Sequence, residues 1–175
     1  RRLTYMPWGV MPSTQSNPNL LNDRKMLIGL SGSMNVESEN ESTNDARMGL
    51  EFALLYNRWY FAGEAYWMNV GFTKRQKINE HYNYLGGYVQ GGYFVAPRLQ
   101  VAARYDFMNR NSTGKDGFLN MPAVGLNYFF KGCNLKLQAM YQYTGRKGHD
   151  TQLDRDNDNL GLATHSATVQ LQYYF

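Results

Sequence analysis

The sequence predicts an all-β fold, a transmembrane antiparallel up-and-down β-barrel, on three observations. Strand-length stretches alternate apolar and polar residues along most of the chain. Short and long connections between them alternate strictly. The final TVQLQYYF sends Val169, Leu171, Tyr173 and Phe175 to one side and Thr168, Gln170, Gln172 and Tyr174 to the other, and it ends on an aromatic. A closing barrel strand, oily on one side and wet on the other, needs that pattern.

Composition agrees with this class. Aromatics make up 15% of the 175 residues, with 14 tyrosines and 17 glycines, which suits many short strands with aromatic girdles. The mean hydropathy of -0.57 looks soluble, but a barrel strand shows lipid only its alternate residues, and that dilutes the average. No apolar run approaches the roughly 20 residues of a membrane-spanning helix; the longest candidate is FALLY, Phe52 to Tyr56. Arg1-Arg2 leads into no apolar leader core, so the expectation is a mature chain or part of a longer one. A lone cysteine, Cys133, excludes an internal disulfide and a multi-cysteine metal site. The net charge of +4 is slight and dispersed, unlike the clustered basic face of a nucleic-acid binder.

Eight full strands are expected in order. Lys25 to Val36 groups Met26, Ile28, Leu30 and Met34 against Ser31, Ser33 and Asn35. Arg47 to Tyr56 collects Met48, Leu50, Phe52, Leu54 and Tyr56 and sends Glu51 the other way. Trp59 to Thr73 sets Trp59, Phe61, Ala65 and Trp67 against Tyr60, Glu64 and Tyr66. The glycine-rich Tyr82 to Phe94 aligns Leu85, Val89 and Tyr93. Leu99 to Asn109 separates Val101, Ala103, Tyr105 and Phe107 from Gln100, Arg104 and Asp106. Met121 to Phe130 sets Val124, Leu126, Tyr128 and Phe130 against Asn127, and Leu135 to Thr144 sets Leu137, Ala139, Tyr141 and Tyr143 against Lys136, Gln138 and Gln142. The terminal strand is the eighth. No Lys, Arg, Asp or Glu falls on any of these apolar faces. Lipid enforces that exclusion, because Arg or Lys at the bilayer midplane costs roughly 2–4 kcal/mol.

The tight connections are Asn57-Arg58, Ala96-Pro97-Arg98 and Lys131 to Asn134. The long polar ones are residues 37–46, 74–81, 110–120 and 145–163, expected outside the cell. Residues 25–175 thus form the barrel portion. Residues 1–24 read as the end of a preceding strand, Arg1 to Met6, plus a Pro/Ser/Asn-rich periplasmic connection. Counting that strand gives an odd number, whereas bacterial single-chain barrels have even numbers, so the chain is expected to start inside a larger barrel.

The wet side carries the candidate pore-lining residues: Lys25, Arg104 and Lys136 as cations, Glu51, Glu64 and Asp106 as acids. They read either as fixed charges that bias ion passage or as wall salt bridges that hold the sheet. Asp154, Asp156 and Asp158 alternate like the first half of a calcium loop, but Asn159 replaces the sixth-position glycine and His165 the acidic twelfth ligand. A solvated loop is the plainer reading, and no metal or cofactor is assigned. His81, His149 and His165 fall in or beside long loops. His165 and Ser166, though adjacent, point to opposite strand faces and form no catalytic dyad, so no enzyme is expected. Lys74, Arg75 and Lys77 make a basic loop patch that could touch anionic lipopolysaccharide or an incoming anion, a solvated loop being the plainer reading.

RLTYMPWG, MLIGLSGSMN (Met26 to Asn35), GGYVQGGYFVAPRLQVAARYDFMN (Gly86 to Asn109), GLNYFFKGCNLKLQAMYQY (Gly125 to Tyr143) and VQLQYYF follow one another. In that order they resemble the C-terminal half of the phosphate-selective porin O and P family. The resemblance implies a sixteen-stranded, usually homotrimeric outer-membrane pore for passive diffusion of small polar solutes or anions, phosphate among them. It implies outer-membrane lipid and lipopolysaccharide as surroundings. The lumen arginine ladder and loop lysine cluster that give the family's best-known members their selectivity have no counterpart in this stretch, where three lumen cations face three acids. A different reading takes the chain as a complete small barrel, its interior filled by side chains, serving as a structural or docking subunit.

Overall fold

The computed structural model describes residues 1–12, 22–35, 43–72, 81–109, 117–131, 134–147 and 163–173. Among them the chain forms nine strands: β1 (Arg2–Tyr5), β2 (Arg24–Asn35), β3 (Thr43–Tyr56), β4 (Trp59–Phe72), β5 (His81–Ala96), β6 (Leu99–Asn109), β7 (Phe118–Lys131), β8 (Leu135–Lys147) and β9 (Ala163–Tyr173). Each pairs antiparallel with its sequence neighbours in a single sheet of order β1 to β9. β1 and β9 do not pair with each other, so the sheet is open rather than a closed small barrel. No helix among the described residues is long and apolar enough to cross a membrane.

The strands reach further toward the long-loop end than expected. β3 begins at Thr43, β5 at His81 and β7 at Phe118, while β8 continues to Lys147. Residues 43–46 and 145–147 are therefore strand, not loop. The tight turns form where expected, with differences in detail. Tyr56 faces Trp59 across Asn57-Arg58, where Asn57 adopts φ 53, as two-residue hairpin turns require. The second turn is tightened to Pro97-Arg98, with Ala96 opposite Leu99 and a bulge between Phe94 and Ala96. Backbone bonds stitch successive turns together: Phe94 N–H to Arg58 O at 3.1 Å and Phe129 N–H to Arg98 O at 2.9 Å.

Burial is inverted relative to a soluble sheet. The most buried side chains, Leu55, Tyr60, Phe94, Gln100 and Phe129, lie on the inner face, around which the sheet curls. Most of the exposed large apolar residues, such as Leu30, Leu50, Val101, Val124 and Val169, lie on the outer face. So broad an exposed apolar surface is a membrane or partner contact.

The outer face has measurable edges. At the tight-turn end Tyr56, Trp59, Tyr93, Tyr128 and Phe130 form an aromatic margin, with Trp59 and Tyr93 ring centroids 4.5 Å apart and Tyr128 and Phe130 at 4.9 Å. Arg24 is a charged residue of this margin, its guanidinium 4.8 Å from the Tyr56 ring. At the opposite end the same side turns polar at Asn69, Asn83, Asn109 and Asn120, and Asn69 Nδ2 donates to Asn83 Oδ1 at 2.6 Å. Ten residues separate Trp59 from Asn69, Asn83 from Tyr93, Leu99 from Asn109 and Asn120 from Phe130. At roughly 3.3 Å per residue that is about 33 Å of strand, or about 25 Å of height at a tilt of roughly 40°, the thickness of a barrel's apolar band.

Glycine opposite phenylalanine keeps the band smooth. Phe52 faces Gly63, Phe61 faces Gly91 and Phe107 faces Gly87 across neighbouring strands. A Cβ at Gly63 would collide with the Phe52 ring, and at Gly91 and Gly87 it would stand only 3.1 and 3.2 Å from the Phe61 and Phe107 rings. The ring covers backbone that glycine leaves bare, the aromatic rescue of a weak strand position.

Candidate pore-lining site

Alternation decides which side chains face the hollow. Lys25, Glu51, Glu64, Arg104, Asp106 and Lys136 all lie on the inner face, where Glu51 stands opposite Glu64, Gln90 opposite Arg104 and Lys136 opposite Gln172. Among the residues whose side chains are described, three further charged ones join them: Arg2, Asp45 and Arg47. Arg2 belongs to the four-residue β1, and Asp45 to a stretch expected to be loop. The signal for the latter was present in the sequence, since Asp45, Arg47, Gly49 and Glu51 continue one period-2 register.

Among the residues whose side chains are described, each arginine of the inner wall is matched to a carboxylate. Arg104 and Asp106 are two apart on β6, hence on the same face; Arg104 Nη2 donates to Asp106 Oδ1 at 2.6 Å and its Nε to Oδ2 at 2.8 Å. Its Nη1 donates to Gln90 Oε1 at 3.1 Å, and its guanidinium lies 3.9 Å from the Tyr88 ring centroid. Arg47 and Asp45 repeat the arrangement on β3, at 3.1 and 3.0 Å. Arg2 reaches Glu51 across β2, with Nε and Nη2 donating at 2.6 and 2.8 Å. Gly29 makes that crossing possible, because a Cβ there would collide with the Glu51 carboxylate.

The opposed carboxylates of Glu51 and Glu64 would repel if left alone. Each turns to a partner on its far side, Glu51 to Arg2 and Glu64 to the Tyr88 hydroxyl, which donates to Oε1 at 2.9 Å. Lys25 and Lys136 have no carboxylate partner among the described residues. Guanidinium–carboxylate pairs this close nearly cancel in the solvent beyond, where salt screens over about 8 Å. Among the described side chains of this wall, the unpaired charges are therefore those of Lys25, Lys136 and Glu64.

Below the ion pairs the wall is built of amides. Asn127 Nδ2 donates to Gln100 Oε1 at 2.9 Å, Gln138 Nε2 donates to Asn127 Oδ1 at 2.9 Å, and Gln170 stands opposite Gln138. Gln100 is only 2% exposed, because its side chain crosses Gly92, which has no Cβ to block it. This ladder and Lys136 line a hollow of about 690 Å³ against β4 to β9. A second hollow, about 720 Å³, lies nearer the long-loop end and is lined by Arg2, Arg47, Ser31, Ser33, Tyr66 and Tyr84.

His165 and Ser166 alternate in orientation as expected; His165 stands opposite Tyr143 on the outer face with its Nδ1 2.6 Å from the Tyr141 hydroxyl, while Ser166 stands opposite Gln142 on the inner face. The calcium-like Asp154, Asp156 and Asp158, the basic Lys74, Arg75 and Lys77, His149 and Cys133 lie outside the described residues.

The family model of phosphate-selective porin O and P matches residues 3–175. No curated protein and no solved structure matches the chain. A match over essentially the whole length joins a sheet whose outer face suits lipid and whose inner face suits water. The chain belongs to the phosphate-selective porin O and P family, and it is a channel-forming porin of the bacterial outer membrane.

Proposed function

We propose that the inner wall described above lines a water-filled pore through which small polar solutes and anions, phosphate among them, diffuse passively with only mild charge preference. Lys25, Glu51, Glu64, Arg104, Asp106 and Lys136 are its pore-lining residues, together with Arg2, Arg47 and Asp45. The observation that carries this reading is the pairing of Arg2, Arg47 and Arg104, each with its own carboxylate. Fixed charges tune selectivity through the field they project into the pore, and a matched pair projects little. Lys25 and Lys136, unmatched among the described residues, tilt the balance toward anions. The rest of the wall, amides and hydroxyls, replaces water around a neutral solute without selecting a charge.

The family supports a homotrimeric assembly surrounded by outer-membrane lipid and lipopolysaccharide. The asparagine margin of the outer face fits the headgroup level on the long-loop side. The protein in a planar bilayer tests the pore reading: a steady aqueous conductance with a weak anion preference is expected. No conductance would remove the pore, and a strong cation preference would remove the anion assignment.

A further inference from the structure

The connection leaving β1 turns inward instead of staying at the rim. Met6 to Pro12 folds back over the inner face at the tight-turn end, where Met11 packs on Leu55, Tyr60 and Ala62. The turn is closed locally: the Met11 N–H points at Met6 Sδ at 3.5 Å, and Gly9 adopts φ +84. Lys25 Nζ lies against Gly9, 3.1 Å from where a Cβ would stand. From Lys25 on β2 to Tyr60 on β4 the segment crosses two strand spacings, about 10 Å of wall. It shields an apolar floor, Leu27, Ala53, Leu55 and Ala62, that would otherwise face water in a hydrated pore.

We infer that Met6–Pro12 is a strap that narrows the channel near its tight-turn mouth, and that Trp8 and Val10 are the side chains that set the limit there. The inference rests on the pore reading. Two features carry it. A layer of chain packed on a sheet stands roughly 10 Å off it, so the strap occupies lumen cross-section over β2 to β4. Its uncovered side chains are apolar, Trp8 being 47% and Val10 78% exposed, and apolar constrictions hinder ion passage by dewetting. The strap also accounts for Lys25, whose ammonium is held against it.

Bilayer recording on two variants tests the inference. In a Cys133→Ser background, Val10→Cys treated with a charged methanethiosulfonate reagent during recording is expected to lose conductance in steps. Trp8→Gly combined with Val10→Gly is expected to raise single-channel conductance. Circular dichroism of both variants in detergent checks that the sheet has formed. Unchanged conductance in both, in a wild-type protein that conducts, overturns the strap alone. A wild-type protein that forms no channel removes the pore reading, and the strap with it.

Discussion

At the scale of single residues the inner wall turns on what stands two positions from each arginine. Arg104 has Asp106 and Arg47 has Asp45, so period-2 geometry places charge and countercharge on one face with no help from tertiary structure. Such half-exposed pairs contribute little to stability, roughly 0–1 kcal/mol; their consequence is electrostatic. Replacing Asp106 by Asn should leave Arg104 in place, since Gln90 and the Tyr88 ring still hold it. An uncompensated unit charge acts on a passing ion at about 4 Å with roughly 1 kcal/mol in water, about fivefold in local anion concentration. Reversal potentials in a salt gradient should therefore shift toward anions in Asp106→Asn and stay put in Asp106→Glu. An unshifted Asp106→Asn would mean that permeant ions do not pass within reach of Arg104.

At the scale of elements the ten-residue spacing between aromatic and asparagine margins defines where lipid touches each strand. Leu50 sits near mid-height of this band on β3, and Asn69 marks its edge on β4. An Arg at position 50 should destabilise folding into vesicles by roughly 2–4 kcal/mol and one at position 69 by roughly 0–1 kcal/mol, the depth dependence lipid imposes. Equal costs in urea titrations would deny the band those edges. The faces of these strands were legible in the sequence because lipid excludes charge from the middle of one side, leaving Arg24 only at its margin, so a period of two stands out even where mean hydropathy is low. The site was legible in part. Glu51, Glu64, Arg104, Asp106 and Lys136 lie inside clear alternation, whereas Asp45 sits where strand shades into polar loop and Arg2 in a strand of four residues. The partner of each charge was less accessible still. Arg104 with Asp106 follows from spacing, but Arg2 with Glu51 needs β2 between them and Gly29 at the crossing. The inward strap was not legible at all, since Met11 meets Tyr60 only after β2, β3 and β4 have paired.

At the scale of the whole molecule three tryptophans report on three surroundings. Trp59 and Trp67 share the outer face of β4, eight residues apart, and Trp8 stands on the strap at the inner face. The first two are therefore about 26 Å apart along the strand at roughly 3.3 Å per residue, or about 20 Å in depth after a tilt of roughly 40°. Variants keeping one tryptophan, with the other two changed to Phe, can be folded into vesicles whose acyl chains carry bromine at chosen depths. Trp59 and Trp67 are expected to be quenched by bromolipid, each most strongly by bromine near its own margin of the band, and to resist aqueous iodide. Trp8 is expected to show the reverse, open to iodide and indifferent to brominated chains. Quenching of Trp8 by bromolipid would turn the sheet inside out and exchange the lipid and water faces. Indifference of Trp59 and Trp67 to bromolipid would mean that protein, not lipid, covers the outer face of β4, and the surface around the Trp59–Tyr93 pair would then be where one copy meets another.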